Sequence, residues 1–240
     1  MLAWQDLKQR YRRSTLGPIW LTLSSAVQML TMGALSSFLF EQPIARSLPY
    51  VCAGMLFWNL ITLTINEGAG LFVSMSRYIT QFKCPLSMFV AQVLWRNVIV
   101  LAHNAVTYLC IAVIFGVTPG FSMVLWPFGF VLVLLCLSWM VVLCAIVSVR
   151  YRDVPLIIQN IFNILFWFTP LMYFPEQLGE RRFINDLNPF TYLISLLREP
   201  LLGGTPGMAD WLVVAALAVV GWAGTFLFFA RFRARIVYWL

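Results

Sequence analysis

Two ionised side chains stand inside otherwise apolar stretches, and they are the first residues that could do chemistry. Glu67 falls ten residues before Arg77, and Arg96 falls eleven residues after Pro85. At about 1.5 Å of rise per helical residue, both lie roughly 15 Å into their stretches from the same basic segment. A carboxylate and a guanidinium at equal depth on consecutive antiparallel helices serve either as a proton relay or as an ion pair. We expect the ion pair Glu67–Arg96, because each charge is costly in hydrocarbon and each can cancel the other. His103, Asn104 and Thr107 continue the polar face that Arg96 begins. A lone histidine among neutral polar residues is a hydrogen-bonding group; no second histidine exists to make a metal site, and no Ser/His/Asp constellation is legible.

Other chemistries are excluded by what is missing. The five cysteines, Cys52, Cys84, Cys110, Cys136 and Cys144, have no C-x-x-C spacing, and most sit in apolar runs where a thiol behaves as a small hydrophobe. The only lysines are Lys8 and Lys83, and neither follows a glycine, so the chain has no G-x-x-x-x-G-K-[ST] phosphate loop. Any ATP is therefore bound by another chain. Aromatic residues are dense at Phe162, Phe166, Trp167, Phe168, Tyr173 and Phe174, with Phe162 and Phe166 one helical turn apart. Such rings pack against the apolar faces of sugars, or else against lipid and neighbouring helices.

The elements that must carry these residues are membrane helices. Of 240 residues 61% are hydrophobic and 10% charged, and the mean hydropathy is +0.85. Soluble domains carry about 25% charged residues. The chain is therefore an all-α integral membrane protein, and its net charge of +7 is read by position, as a topology signal, before it suggests nucleic acid. Six apolar stretches are long enough to cross, at about 19–40, 49–75, 86–115, 123–149, 154–174 and 211–230. The whole chain, 1–240, reads as one transmembrane domain.

Lys8, Arg10, Arg12, Arg13, Arg77, Lys83, Arg150, Arg152, Arg231, Arg233 and Arg235 all fall on one side of a six-span arrangement. Arg46, Arg181, Arg182 and Arg198 fall on the other, where the long connection is net acidic. This asymmetry places both termini in the cytoplasm. A cleavable signal peptide is excluded, since its apolar core runs only 7–15 residues.

The connections have characters of their own. In the first 14 residues Trp4, Leu7 and Tyr11 are spaced i, i+3, i+7, which reads as an amphipathic helix over about 1–16 lying in the membrane interface and ending at Gly17-Pro18, or else as a frayed tail carrying topology charges. Arg10, Arg12 and Arg13 belong to this basic segment, beside lipid phosphate or protein. SRYITQFKCPLS, from Ser76 to Ser87, is short and basic, and reads as an ordinary loop or as a coupling helix for a cytoplasmic partner through Arg77, Tyr78, Gln81, Phe82 and Lys83. Arg150, Arg152 and Asp153 stand directly before the fifth stretch, with Asp153 placed to cap it and Pro155 in its first turn; they read as a gate region or, for the two arginines, as topology charges alone. The connection from Pro175 to Asp210 contains NPFTYLISLLREPLLGG, too apolar for a solvated loop, and reads as short helices dipping into the outer interface.

With these pieces assembled, DLKQRYRRSTLGPIW at Asp6–Trp20, RYRDVP at Arg150–Pro155, TPLMY at Thr169–Tyr173, NPFTYLI at Asn188–Ile194 and the terminal RFRARIVYWL resemble a known family. It comprises the membrane subunits of ABC-2 type exporters of O-antigen, capsular polysaccharide or teichoic acid. The resemblance covers essentially the whole chain. Family members commonly carry a longer segment before the basic stretch; here five residues precede Asp6, so contacts of that segment are not carried over. The resemblance implies a homodimer in the bacterial inner membrane, served by two copies of an ATPase subunit that binds ATP and Mg. It implies a tunnel walled by the first and fifth helices of each protomer, lined by Phe162, Phe166, Trp167 and Tyr173, through which a lipid-linked polysaccharide passes. The permease itself makes and breaks no bond.

Three rival readings stand beside it. An ABC-2 permease for drugs or small lipids would share the architecture. An ion-coupled secondary transporter would need titrating residues inside the membrane, usually in repeated halves. A membrane-embedded glycosyltransferase would need convergent acids and a larger extramembrane domain, and neither is visible.

Overall fold

The computed structural model describes residues 19–81 and 85–239. The expected interfacial helix, with Trp4, Arg10, Tyr11, Arg12 and Arg13, lies outside the described residues, as do Phe82 and Lys83. Every regular element among the described residues is a helix. The α-helices are α1 (Ile19–Leu39), α2 (Ile44–Ala69), α3 (Leu71–Ser74), α4 (Ser76–Gln81), α5 (Leu86–Ile114), α6 (Trp126–Arg150), α7 (Val154–Phe168), α8 (Phe183–Asp186), α9 (Pro189–Leu201) and α10 (Met208–Trp239). Short 3₁₀ turns at Phe121–Leu125 and Pro175–Arg182 complete the chain.

Four helical segments among the described residues are long and apolar enough to cross a membrane: Ile44–Ala69, Leu86–Ile114, Phe121–Arg150 and Met208–Arg233. The sequence reading expects six spans, and the other two stretches fall on α1, with 21 residues, and α7, with 15. About 20 helical residues are needed to cross unaided, so α7 falls short. It stops at Phe168 instead of continuing to about 174, because Thr169 precedes Pro170 and takes the extended backbone that a following proline favours.

α2 is the hub. Of its most apolar window, 83% is buried, against 17–39% for the other three spans. It begins at Ile44 instead of Pro49, and that proline is carried inside the helix. Helix packing is close at Gly68 of α2 and at Gly221 of α10. A Cβ at Gly68 would come within 2.7 Å of Val141, and one at Gly221 within 2.1 Å of the Trp139 indole. Small residues that bring backbones together are the usual adhesive where burial from water is not available to drive helix association.

α10 runs well past the 211–230 stretch. Phe228, Phe232, Ile236 and Trp239 recur on one face and join a second apolar cluster with Phe72, Phe89 and Ile146, while Arg231, Arg233 and Arg235 stay exposed. The terminal segment therefore continues as an amphipathic helix with no breaker to end it. At this basic end of the bundle Arg150 stands over the Trp239 ring at 5.0 Å.

At the opposite end α9 is buried along Leu193, Ile194, Leu196 and Leu197. Asn188 starts it, its side chain accepting from Phe190 N at 3.0 Å with Pro189 in the first turn. The segment dips into the protein between α2, α6 and α10.

Candidate functional site

α1, α2 and α7 enclose an open groove of about 450 Å³. α1 contributes Gln28 and Met32; α2 contributes Trp58, Asn59, Thr62 and Asn66; α7 contributes Gln159, Phe162, Asn163, Phe166 and Trp167. None of these residues carries a formal charge, and six are amides or hydroxyls. The Oδ1 of Asn66 is buried without a hydrogen-bond partner among the described residues. A neutral, hydrogen-bonding wall faced by aromatic rings suits a ligand that is itself neutral, hydroxylated and faced with C–H groups.

The aromatic residues singled out in the sequence occupy different places. Phe162 is 7% exposed, at the floor of the groove, with its ring 5.8 Å from Trp58 and 5.2 Å from Phe190. Phe166 is half-buried, 6.1 Å from Trp58 and edge-on to Trp167 at 5.3 Å. Trp167 is 68% exposed at the rim. Tyr173 stands apart from the groove lining; its hydroxyl donates to Asn185 Oδ1 at 2.9 Å and its ring faces Phe40 at 6.4 Å.

The polar half of the groove lies outside the residues expected from the sequence, although it carries a signal there. Asn59, Thr62 and Asn66 are spaced i, i+3, i+7, and Gln159 and Asn163 i, i+4, so each set lies on one helical face. In a membrane span such neutral polar stripes face protein or a water-filled space.

Next to Asn66, Glu67 turns toward α5. Arg96 Nη2 lies 2.7 Å from Glu67 Oε2, and Asn97 Nδ2 donates to the same oxygen at 3.0 Å. Along the same face of α5, Asn104 Oδ1 accepts from Ser25 of α1 at 2.9 Å, and Thr107 is buried. His103 points elsewhere, its Nδ1 2.8 Å from the carbonyl of Ile99 in its own helix. The charged pair and the amide ladder join α5 to α2 and α1 beside the groove.

The non-helical segment after α7 closes the end of the protein opposite Arg150 and Trp239. Its backbone is satisfied by side chains from three helices. Tyr50 donates to Pro170 O at 3.3 Å, Arg198 Nη1 donates to the same oxygen at 2.7 Å, and Ser36 donates to Met172 O. Asn188 Nδ2 donates to Thr169 Oγ1 at 2.8 Å. Irregular backbone at membrane depth is tolerated only when protein supplies such partners. Arg198, which the sequence suggested as an outer-loop cation, is 3% exposed and stands 3.9 Å over the Tyr50 ring. Tyr50 meets Phe174 in a tilted contact at 4.2 Å, and Arg46 stands over the Phe174 ring at 4.5 Å. Two rings and two cations thus meet in one cluster.

At the basic end, α4 exposes Arg77, Tyr78 and Gln81. None of its residues is fully buried, and Ile79 is partly buried against the second apolar cluster. Arg150, Arg152 and Asp153 are exposed ahead of α7. Asp153 holds the N-cap position, yet its side chain makes no capping hydrogen bond. Among the described residues no group of histidine, cysteine and acidic side chains is placed to hold a metal ion.

A family model for the ABC-2 type transporter matches residues 1–202. The chain is 26% identical over 241 aligned positions to the O-antigen export system permease protein RfbA of Myxococcus xanthus, covering 96% of this chain and 90% of that protein. It is 21% identical over 211 positions to the O-antigen export system permease protein RfbA of Klebsiella pneumoniae, covering 84% and 78%.

Proposed function

The chain belongs to the ABC-2 type transporter family and is a multi-pass membrane protein, and on that premise we propose that it is the transmembrane subunit of an ATP-driven exporter of lipid-linked polysaccharide. In this reading it lies in the bacterial inner membrane with six spans and both termini in the cytoplasm. Two copies assemble with two copies of an ATPase subunit, which binds ATP and Mg. α7 completes the fifth span together with the extended segment that follows it.

The observation that carries the substrate class is the groove. Trp58, Phe162, Phe166 and Trp167 offer ring faces, while Asn59, Asn66, Gln159 and Asn163 offer amides. Rings match the C–H faces of sugars and amides match their hydroxyls. The lack of charge suits conduction, which needs many weak contacts and no deep trap. The groove is open on one side, and a second copy facing it would convert two grooves into one enclosed path. The relatives named for O-antigen export point to the same cargo.

α4, with Arg77, Tyr78 and Gln81 exposed and Phe82 and Lys83 beyond it, is the proposed docking element for the ATPase. Arg150, Arg152 and Asp153 are the proposed inner gate before α7. The first 16 residues form the shoulder between lipid and ATPase.

The test is export in the cell. Deleting the gene is expected to remove surface polysaccharide while its lipid-linked precursor accumulates inside, and the wild-type chain restores export. An Asn59→Leu, Asn163→Leu variant is expected to assemble with the ATPase and fail to restore it. Unchanged surface polysaccharide in the deletion, with loss of drug or lipid efflux instead, would favour the small-molecule exporter. A gene with no ATPase partner would count against the whole reading.

A further inference from the structure

A second cleft, remote from the groove, opens between α5, α6 and α10 toward the basic end, with a volume of about 210 Å³. Its walls are Phe72, Val90, Val142 and the α10 residues Trp222, Phe226 and Phe229. Phe226 is 66% exposed, so the cleft opens sideways to the surrounding bilayer. The one polar atom of Trp222 is turned away, donating to Leu135 O at 3.2 Å. Thr225 also lines the cleft; it is 2% exposed and its hydroxyl has no partner among the described residues.

The mouth of the cleft is cationic. Trp222, Phe226, Phe229 and Arg233 are spaced i, i+4, i+7, i+11 on α10, so exposed Arg233 follows the aromatic wall on the same face, one turn beyond Phe229. Leu86 and Ser87, the first two residues of α5, form the opposite lip. The opening turn of a helix presents N–H groups that lack intrahelical acceptors and carry the positive end of the helix dipole. An apolar slot open to lipid, with an arginine and a helix start at its interfacial mouth, matches an amphiphile with an anionic head.

We propose that this cleft is a phospholipid site. One acyl chain of an anionic phospholipid lies between α5 and α10 against Phe226 and Phe229. Its phosphate sits at the mouth between Arg233 and the first turn of α5. The site is separate from the export path, and the bound lipid ties the long terminal helix to α5.

The test uses the full chain purified in detergent, stripped of lipid and titrated with dioleoyl phosphatidylglycerol or dioleoyl phosphatidylcholine under native mass spectrometry. One tightly held phosphatidylglycerol per chain is expected, preferred over phosphatidylcholine by about fivefold, as one basic side chain near an anionic headgroup supplies. Arg233→Gln is expected to abolish the preference while the lipid-free thermal midpoint stays unchanged. Ser87→Trp, placed at the exposed lip of the cleft, is expected to lower uptake of both lipids. Equal uptake of the two lipids by the wild type would reveal an unspecific lipid coat and overturn the proposal. So would a preference that survives Arg233→Gln. No ATPase or polysaccharide enters the measurement, so its result is independent of the export reading.

Discussion

The guanidinium of Arg198 lies 3.9 Å from the centre of the Tyr50 ring and donates to the carbonyl of Pro170 at 2.7 Å. One buried cation thus joins α9, α2 and the irregular segment after α7. Desolvated cation–π contacts are worth about 2 kcal/mol, and a hydrogen bond from a charged donor about 1.5–3 kcal/mol. Arg198→Leu is expected to destabilise the protein by about 2–4 kcal/mol. Arg198→Lys is expected to rescue little, since an ammonium lacks the planar fork that reaches ring and carbonyl together. Thermal unfolding in detergent checks this, and a midpoint unmoved by Arg198→Leu would remove the residue from the fold's support.

Glu67 and Arg96 make a structural pair in this reading. Glu67→Gln is expected to lower stability or assembly without creating a pH-dependent transport defect. Exchanging the two charges, with Glu67→Arg and Arg96→Glu together, is expected to recover part of the loss from either single change. Transport assayed across a pH series is the check. A folded Glu67→Gln protein that had lost proton coupling would make the pair a relay after all.

The groove separates packing from conduction. Phe162 is wedged between Trp58 and Phe190, so Phe162→Ala is expected to cost about 3–5 kcal/mol through the cavity it leaves. Asn163 and Trp167 stand on the exposed side of α7. Asn163→Leu and Trp167→Ala are expected to reduce polysaccharide export several-fold at unchanged expression. Surface polysaccharide measured against protein level decides between the two roles.

α4 stands off the bundle with Arg77 and Tyr78 exposed. Arg77→Glu is expected to leave the chain folded and to weaken its association with the ATPase, so that hydrolysis continues without export. Co-purification and ATP turnover in the reconstituted complex measure this. Normal coupling in the variant would place the docking surface elsewhere.

Gly221 lies against the Trp139 indole, where an added Cβ would come within 2.1 Å of the ring. An indole cannot yield as the tip of a flexible chain does. Gly221→Ala is expected to cost about 1–3 kcal/mol by forcing α10 away from α6. Gly224→Ala, with open space at its Cβ position, serves as the control and is expected to be neutral or slightly stabilising.

The sequence alone determined the class of molecule and the sites of its costliest groups. Hydropathy is a sum over neighbouring residues, so the membrane helices and the lack of a phosphate loop are legible locally. The similar depth of Glu67 and Arg96 follows from helical rise alone. Only the tertiary structure decided which side chains meet across helices. It put Gln28, Asn59 and Asn163 from three helices around one groove, sent Phe162 to its floor and left Tyr173 outside the lining. It turned Arg198 from an apparent loop cation into a buried brace, and ended α7 at Thr169–Pro170, where other helices satisfy the freed backbone. Such outcomes depend on how each helix is rotated against partners distant in sequence. Tight contacts such as Gly68 on Val141 and Gly221 on Trp139 fix that rotation, and no local pattern contains it.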